Sequence, residues 1–542
     1  MPRATKPAAI RLDGSFLTPD DAVAVARQGA PVSIAPRAVA AMKRSRAVVE
    51  RALNDGRPHY GINTGFGSLA KQRIGDKDLA TLQRNLVRSH ASGAGEPLAG
   101  ETVRATMLCL AASLCRGLSG VRPIVPETIV RMLNAGVVPV VPSIGSVGAS
   151  GDLAPLASVA LVAIGEGHAT VGGRAMPGGA ALRRASIPPL SLGAKEGLAL
   201  INGTHLMTGS AALILNDANV LLRAANLSLA MSIDACRASH EFLDVRLSSA
   251  RQDMSGFATA FEISMLLAGS TIRTSHVEDD PRVQDPYSLR AGPTVHGAAS
   301  SALLSLVFAL DSELGAVTDN PIVFSKQHRG VDGGMQFVSP RDAILSGANF
   351  HGMPIALPLD YLAIALCHLA GISERRTYLM TGAFEPESHL KPFLTARPGL
   401  QSGLMIAQYT AAACVNEMIG LATPASVSNI TTCAGMEDYN SFGPRAAAKA
   451  ERALRLAERV IAIELLCAAE GIDVHRPLKS GRGVEAAHAV VRRLVPRVTE
   501  DRPLTPAIEA LAGAIRDGSL VREVRRADTT GVRSVRTNGR KH

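Results

Sequence analysis

The sequence predicts a mainly α protein, with a long central helical bundle following a smaller mixed N-terminal region. Three observations lead there. Most of the later chain consists of Ala- and Leu-rich stretches with few β-branched alternations, most of them far longer than a strand. Several are apolar nearly all round: between Ala211 and Ala230 only Asn216, Asp217, Asn219, Arg223, Asn226 and Ser228 interrupt, so this helix needs cover on most sides. By contrast, Leu12 to Ala35 is short and broken by Asp13-Gly14, Pro19, Gly29 and Pro31, which leaves room for small extended pieces.

In chain order, Thr18-Pro19-Asp20-Asp21 reads as a helix start. From Pro36 the apolar stripe Val39, Met42, Val48, Val49 and Leu53, interleaved with Lys43, Arg44, Arg46, Glu50 and Arg51, predicts an amphipathic helix ending near Gly56-Arg57-Pro58. Longer helices are expected over Glu101 to Cys115, Leu198 to Ala238, Ala298 to Ala316, Tyr361 to Arg376, Leu404 to Ala422 and Ala446 to Gly471. The chain divides on this reading into residues 1–200, a central bundle over 201–480, and a C-terminal helical segment with a basic tail over 481–542. Helices this apolar also predict association with further copies of the chain.

The 542 residues are 46% hydrophobic and 19% charged, a globular composition long enough for two to four domains. The longest nearly uncharged stretches, Leu153 to Ile164 and Tyr361 to Ile372, fall short of the ~20 residues that cross a bilayer. Met1 to Arg11 carries Arg3, Lys6 and Arg11 without an apolar core, so no secretory signal is read there and a soluble, cytoplasmic protein is expected, without a membrane partner. The seven cysteines (Cys109, Cys115, Cys236, Cys367, Cys414, Cys433, Cys467) are scattered and never form Cys-x-x-Cys, which points to buried apolar thiols and to neither disulfides nor a metal site. Net charge is +10, and Val521 to His542, with six Arg and one Lys against Glu523 and Asp528, supplies half of it. A local excess in a chain with no Trp and 3% aromatics reads as a solvated terminus, so no nucleic-acid partner is expected.

The stretch Gly145-Ser146-Val147-Gly148-Ala149-Ser150-Gly151-Asp152-Leu153 offers two readings. Composition alone fits a flexible loop with Asp152 capping the following helix. A chemical reading is equally concrete. Attack of the Gly151 nitrogen on the Ala149 carbonyl, with loss of the Ser150 hydroxyl, gives a methylidene-imidazolone (MIO), an electron-poor alkene that accepts an amine. Gly allows tight closure, Ala adds least bulk, and Ser supplies the leaving group.

At this point the chain resembles the MIO-dependent aromatic amino acid lyases, the family that includes histidine, phenylalanine and tyrosine ammonia-lyases. The resemblance runs from about Leu12 to about Leu478 and rests on five further motifs: Tyr60-Gly61-Ile62-Asn63-Thr64-Gly65-Phe66-Gly67, Lys195-Glu196-Gly197-Leu198-Ala199-Leu200-Ile201-Asn202-Gly203-Thr204, Gln284-Asp285-Pro286-Tyr287-Ser288-Leu289-Arg290, Thr318-Asp319-Asn320-Pro321, and Gly347-Ala348-Asn349-Phe350-His351-Gly352. It implies a fumarase/aspartase-like superfamily architecture, a homotetramer whose active sites draw on three subunits, and no metal or diffusible cofactor.

It also implies roles. Tyr60 matches the base that removes the β-proton, a task for which a phenol near pKa ~10 needs activation. Arg290 matches the residue that grips the substrate carboxylate, suited to a bidentate donor. Tyr287 could share a helical face with Arg290 and assist the chemistry, and Gln284 belongs to the same lining. Asn202 and Gly203 match an oxyanion-hole position, while Asp152 and Phe350 match positions that shape or promote the prosthetic group. Apart from the motifs, Tyr60 could be a packed loop aromatic, Arg290 a surface charge and Asn202 a helix cap.

Two positions bear on the ring accepted. The pair after Asn85-Leu86-Val87-Arg88 is Ser89-His90, where the family places Ser-His for histidine, His-Leu for tyrosine and Phe-Leu for phenylalanine. Glu437 stands where histidine lyases have Glu and carbocyclic ones Gln, and a carboxylate can bond an imidazole N–H. The expected reaction is therefore L-histidine to trans-urocanate and ammonia. His90 as a structural histidine and Glu437 as a helix-start or salt-bridge carboxylate are the plainer alternatives. Met436, Tyr439 to Phe442, His205, Thr423 and Ala291 to His296 depart from the usual histidine pattern, which leaves open a modified histidine or another aromatic substrate. A 2,3-aminomutase shares all the motifs. An N-methylated betaine would not need Ala149-Ser150-Gly151, and intact Tyr60, Ser150, Asn202, Tyr287 and Arg290 argue against a degenerate binding protein.

Overall fold

A computed structural model describes residues 7–65, 67, 73–278, 280–325 and 343–527; Phe66 of the Tyr60 motif, Arg3 and Lys6 near the start, and most of the basic tail, 528–542, lie outside them. The architecture is mainly helical. The chain forms two compact units, each assembled from separated stretches: Met1–Asn216, Leu306–Asp360 and Pro424–Ala448 in one, and Asp217–Ser305, Tyr361–Thr423 and Lys449–His542 in the other. Four long helices, His205–Ala235, Gly292–Glu313, Met353–Gly382 and Gly443–Val474, contribute residues to both.

The first unit holds the small strands that the broken N-terminal pattern leaves room for. Ile10–Leu12 pairs in parallel with Val32–Ile34, and Val138–Pro139, His168–Val171 and Arg174–Pro177 form a three-stranded antiparallel sheet. The helix Pro19–Arg27 starts as its sequence predicts: Thr18 Oγ1 accepts from the Asp21 N–H at 3.2 Å and Asp21 Oδ2 accepts from the Thr18 N–H at 2.9 Å, a closed capping box behind Pro19. Pro36–Leu53 buries Ala38, Met42, Val48, Val49 and Ala52 and turns Lys43, Arg44, Glu50 and Arg51 outward, while Arg46 reaches inward to the Ala194 carbonyl at 2.9 Å. Three helices that carry the later argument, Leu79–His90, Leu153–Ala163 and Glu196–Ile201, pack mutually. Buried Gln83 fixes two of them together, since its Oε1 accepts from the N–H groups of Gly197 (2.8 Å) and Leu198 (3.2 Å). Those are the orphan donors of a helix N-terminus.

The expected helix over Leu198 to Ala238 is corrected. It is two helices, Glu196–Ile201 and His205–Ala235, parted at Asn202-Gly203-Thr204. Asn202 is extended and Gly203 takes φ +136, a value a side chain rarely allows. A second correction concerns Tyr361 to Arg376, which belongs to the thirty-residue helix Met353–Gly382. That helix and Gly292–Glu313, of 22 residues, are long and apolar enough to cross a membrane by length and composition, with 61% and 44% of their most apolar windows buried within the chain. Asp360 and Glu374, the charged positions that bound the apolar run Tyr361 to Ile372, lie inside the continuing helix Met353–Gly382.

In the second unit, Met254–Leu266 packs on Arg482–Leu494, which packs on Thr505–Arg516. Its core contains a polar network. Glu464 accepts from Arg376 Nε (2.5 Å) and Nη2 (2.9 Å), Ser232 Oγ (2.7 Å) and Ser373 Oγ (2.5 Å), so both carboxylate oxygens are satisfied. Arg376 spends Nη1 on the Ser288 carbonyl at 3.2 Å and also faces His296 Nε2 at 3.5 Å. A buried ion pair is tolerable only when bonded this completely.

Candidate active site

Four of the five motifs converge in the first unit. Lys195, at φ +69, donates through Nζ to Asp319 Oδ2 at 2.8 Å, an ion pair with both side chains buried that ties the Asn202 motif to the Thr318-Asp319-Asn320-Pro321 motif. Asn320 Oδ1 accepts from the Gly347 N–H at 2.8 Å and brings in the Phe350 motif. The Tyr60 loop lies on the same floor, because a Cβ at Gly61 would meet Leu198 Cδ2 at 2.5 Å. The fifth motif, Gln284 to Arg290, belongs to the second unit.

The Ala149-Ser150-Gly151 segment is gripped throughout. Ser146 Oγ donates to the Gly151 carbonyl and accepts from the Gly148 N–H, both at 3.1 Å. Ser441 Oγ donates to the Gly148 carbonyl at 3.1 Å, and the Phe442 N–H donates to the Val147 carbonyl at 2.9 Å. Gly151, at φ +72, forms an isolated bridge with Gly203, where a Cβ would sit 2.2 Å from the Gly203 carbonyl oxygen. No other residue fits there. The segment is therefore not the flexible loop that its composition permits.

Asp152 corrects the cap reading. It makes no side-chain bond to the helix Leu153–Ala163; its Oδ2 accepts instead from the N–H groups of Leu206 (2.8 Å) and Met207 (3.1 Å), at the start of His205–Ala235. Its N–H donates to the Gly203 carbonyl at 2.8 Å. Fully buried, with Oδ1 unpartnered, its carboxyl is pushed up to about 7 by loss of solvent against those two bonds. Asn202 is also buried with Oδ1 unpartnered, a hydrogen-bonding group left over beside Gly203. His205 next to it is buried and held neutral, its pKa pushed down to about 3 by burial.

Glu437 is the focus of the side chains. Ser150 Oγ donates to its Oε1 at 2.8 Å and Thr432 Oγ1 to its Oε2 at 2.9 Å. Its charge is felt by both Tyr60 and His90. Burial pushes the Tyr60 phenol above its usual pKa, reinforced by Cys433 and Glu437 and opposed by the Gly67 N–H donating to its oxygen at 3.3 Å. The activation that a phenolic base needs is thus not supplied by these neighbours. Burial lowers the His90 pKa, against its bond to Leu86 and the pull of Glu437. His90 Nδ1 lies 2.9 Å from the Leu86 carbonyl, which only an N–H can satisfy, so Nε2 is left as an acceptor. Phe350 is half-buried, and the neighbouring His351 stacks on Tyr439 with ring centroids 5.9 Å apart.

In the second unit Tyr287 and Arg290 are the ends of a single helical turn, and the Arg290 guanidinium lies 4.4 Å from the Tyr287 ring centroid. They do share a face. Tyr287 is 73% exposed, and Gln284 is exposed too. Gln284 and Arg290 line an open cavity of about 680 Å³ with Ser239, Glu241 and Asp285. Asp285 anchors this loop by accepting from the Ser239 N–H at 3.0 Å.

Sequence reasoning missed Thr432, Ser441 and Ser146. Ser146 lies within the quoted loop, but Ser441 is 293 positions from the carbonyl it bonds and carries no local signal. Cys433 corrects the expectation of buried thiols: Cys109, Cys115, Cys236 and Cys467 are buried, whereas Cys433 is exposed in the turn between Thr432 and Glu437, at φ +51.

Residues 17–493 match the family profile described as aromatic amino acid lyase. The chain belongs to the aromatic amino acid lyase family. It is a carbon–nitrogen lyase. Among relatives in this lyase family, the histidine ammonia-lyase of Symbiobacterium thermophilum is 45% identical over 512 residues, 94% of this chain and 97% of that one. The crystal structure of histidine ammonia-lyase from Trypanosoma cruzi superposes with a TM-score of 0.86 at 37% identity, covering 96% of this chain and 95% of that one. Tyrosine aminomutase from Streptomyces globisporus gives a TM-score of 0.88 at 33% identity, over 96% and 99%. These likenesses bear out the mainly helical lyase fold.

Proposed function

We propose that this lyase converts L-histidine to trans-urocanate and ammonia, using MIO formed from its own Ala149, Ser150 and Gly151. The observation that carries the reading is the Gly151–Gly203 bridge, where Gly151 at φ +72 has no room for a side chain, as a backbone that closes tightly on itself requires. Buried Ala149 and the unpartnered Asn202 Oδ1 beside the bridge fit such a group. When formed, MIO supplies an alkene that accepts the substrate amine and makes it a leaving group.

The chain's own residues do the rest. Asn202 and Gly203 would hold the oxygen on which negative charge builds. Asp152 and Phe350 support the segment, Tyr60 takes the β-proton, and Arg290, with Tyr287 and Gln284, receives the carboxylate. Glu437 accepts from one imidazole N–H of histidine, and His90 Nε2 offers a second acceptor within reach of the Glu437 charge. Support for histidine also comes from the ammonia-lyase relatives. The protein works as a cytoplasmic homotetramer with shared sites, and the division into 1–200, 201–480 and 481–542 sets the Tyr60 loop and the Ala149-Ser150-Gly151 loop ahead of the bundle.

A second reading is a 2,3-aminomutase, favoured by the likeness to tyrosine aminomutase. Product analysis with L-histidine, L-tyrosine and L-phenylalanine decides. Urocanate and ammonia from histidine are expected, and a β-amino acid would make the protein a mutase. Ser150→Ala is expected to abolish turnover with the helical spectrum intact; undiminished turnover by that variant would refute the mechanism.

A further inference from the structure

The hydroxyl that leaves during cyclisation is already held. Ser150 Oγ donates to Glu437 Oε1 at 2.8 Å, and the other carboxylate oxygen is fixed by Thr432 Oγ1 at 2.9 Å. Thr432 and Glu437 are also joined by their backbones, N–H to carbonyl at 2.8 and 3.3 Å in the two directions. The carboxylate is thus clamped at the end of a short turn and has little freedom to leave Ser150.

We propose that Glu437 is a positioning residue for formation of the prosthetic group, holding the Ser150 hydroxyl before any substrate is bound. The proposal rests on the reading that Ala149-Ser150-Gly151 cyclises. In that conversion the Gly151 nitrogen bonds to the Ala149 carbonyl carbon. The carbonyl oxygen departs as water with the Gly151 and Ser150 amide protons, leaving a carbon–nitrogen double bond. The Ser150 Cα–H proton and Oγ hydroxyl then depart as a second water, and the Cα–H electron pair becomes the Cα–Cβ double bond. Two waters leave and no oxidant is needed.

The second loss requires the Cβ–Oγ bond to be aligned with the Cα–H electron pair as it is released. A free serine side chain samples three staggered wells. The bond to Glu437 selects one. Once Oγ has left, Glu437 Oε1 has lost its donor, and the imidazole N–H of histidine can take the vacated place. One oxygen serves the precursor first and the substrate afterwards.

The test is the intact mass of the full chain, sampled at intervals after a pulse of synthesis and independent of turnover. The wild-type chain should become two waters lighter. Glu437→Leu, which removes the acceptor, should do so roughly tenfold or more slowly, as expected for loss of one hydrogen bond to a charged group. Glu437→Gln keeps an acceptor oxygen and should mature at close to the wild-type rate. Thr432→Val, which leaves Glu437 in place but unclamped, should be slowed less than Glu437→Leu. A folded Glu437→Leu chain that matures at the wild-type rate overturns the proposal, as does a Glu437→Gln chain as slow as Glu437→Leu. If Glu437→Leu does not fold, Thr432→Val decides, and an unchanged rate overturns the proposal. A wild-type chain that never loses two waters overturns the cyclisation reading itself, an outcome distinct from the others.

Discussion

At the scale of single residues, Glu437 has the most consequence, because Ser150, Thr432, Tyr60 and His90 all answer to it. If Glu437 and His90 set the ring accepted, His90→Leu combined with Glu437→Gln should shift preference toward phenylalanine and tyrosine by about tenfold or more, since a polar pocket rejects a ring that cannot return its bonds. Ratios of kcat/KM for the three amino acids check this, and unchanged ratios would refute both assignments. Ser150, Asn202 and Glu437 could be singled out in the sequence because chemistry restricts their residue types. Thr432 and Ser441 could not, since a hydroxyl that tightens another group's position has no type or spacing of its own. The direction of the Tyr60 shift was equally hidden, because it follows from burial and from charges brought in by the Cys433 turn.

At the scale of elements, the interruption at Asn202-Gly203-Thr204 does most to build the site. Apolar periodicity runs straight through these residues, and only an extended Asn202 and Gly203 at φ +136 reveal two helices. The helix Pro19–Arg27 was legible to its first residue, because a capping box is local chemistry. The second helix starts on Asp152, whose carboxyl is raised from 3.8 to about 7. A folded-state pKa above the unfolded one means that stability from the neutral acid is complete below pH 3.8 and is lost as pH rises through about 7. Asp152→Asn stays neutral throughout. Melting curves should show this variant gaining on the wild type by about one to three degrees between pH 5 and pH 8. A constant difference across that range would show that Asp152 does not titrate there.

At the scale of the whole molecule, helices in both units carry large apolar side chains in solvent, among them Phe308 at 71%, Ile419 at 60% and Tyr409 at 57% exposed. The all-round apolar helices indicated partners for such surfaces, but not which faces stay open, since that depends on which neighbours the fold supplies. Light scattering of active protein should give about four times the 56.5 kDa chain mass, and a fully active monomer would contradict shared sites. The Gly151–Gly203 contact adds a temporal consequence. It joins residues fifty-two positions apart, so the proposed ring would close only in a chain that has already folded, and each new molecule would pass through an inert youth. For a cell that is growing quickly, the quantity of this protein and its capacity to act are then different numbers, and the age of the pool sets the gap between them.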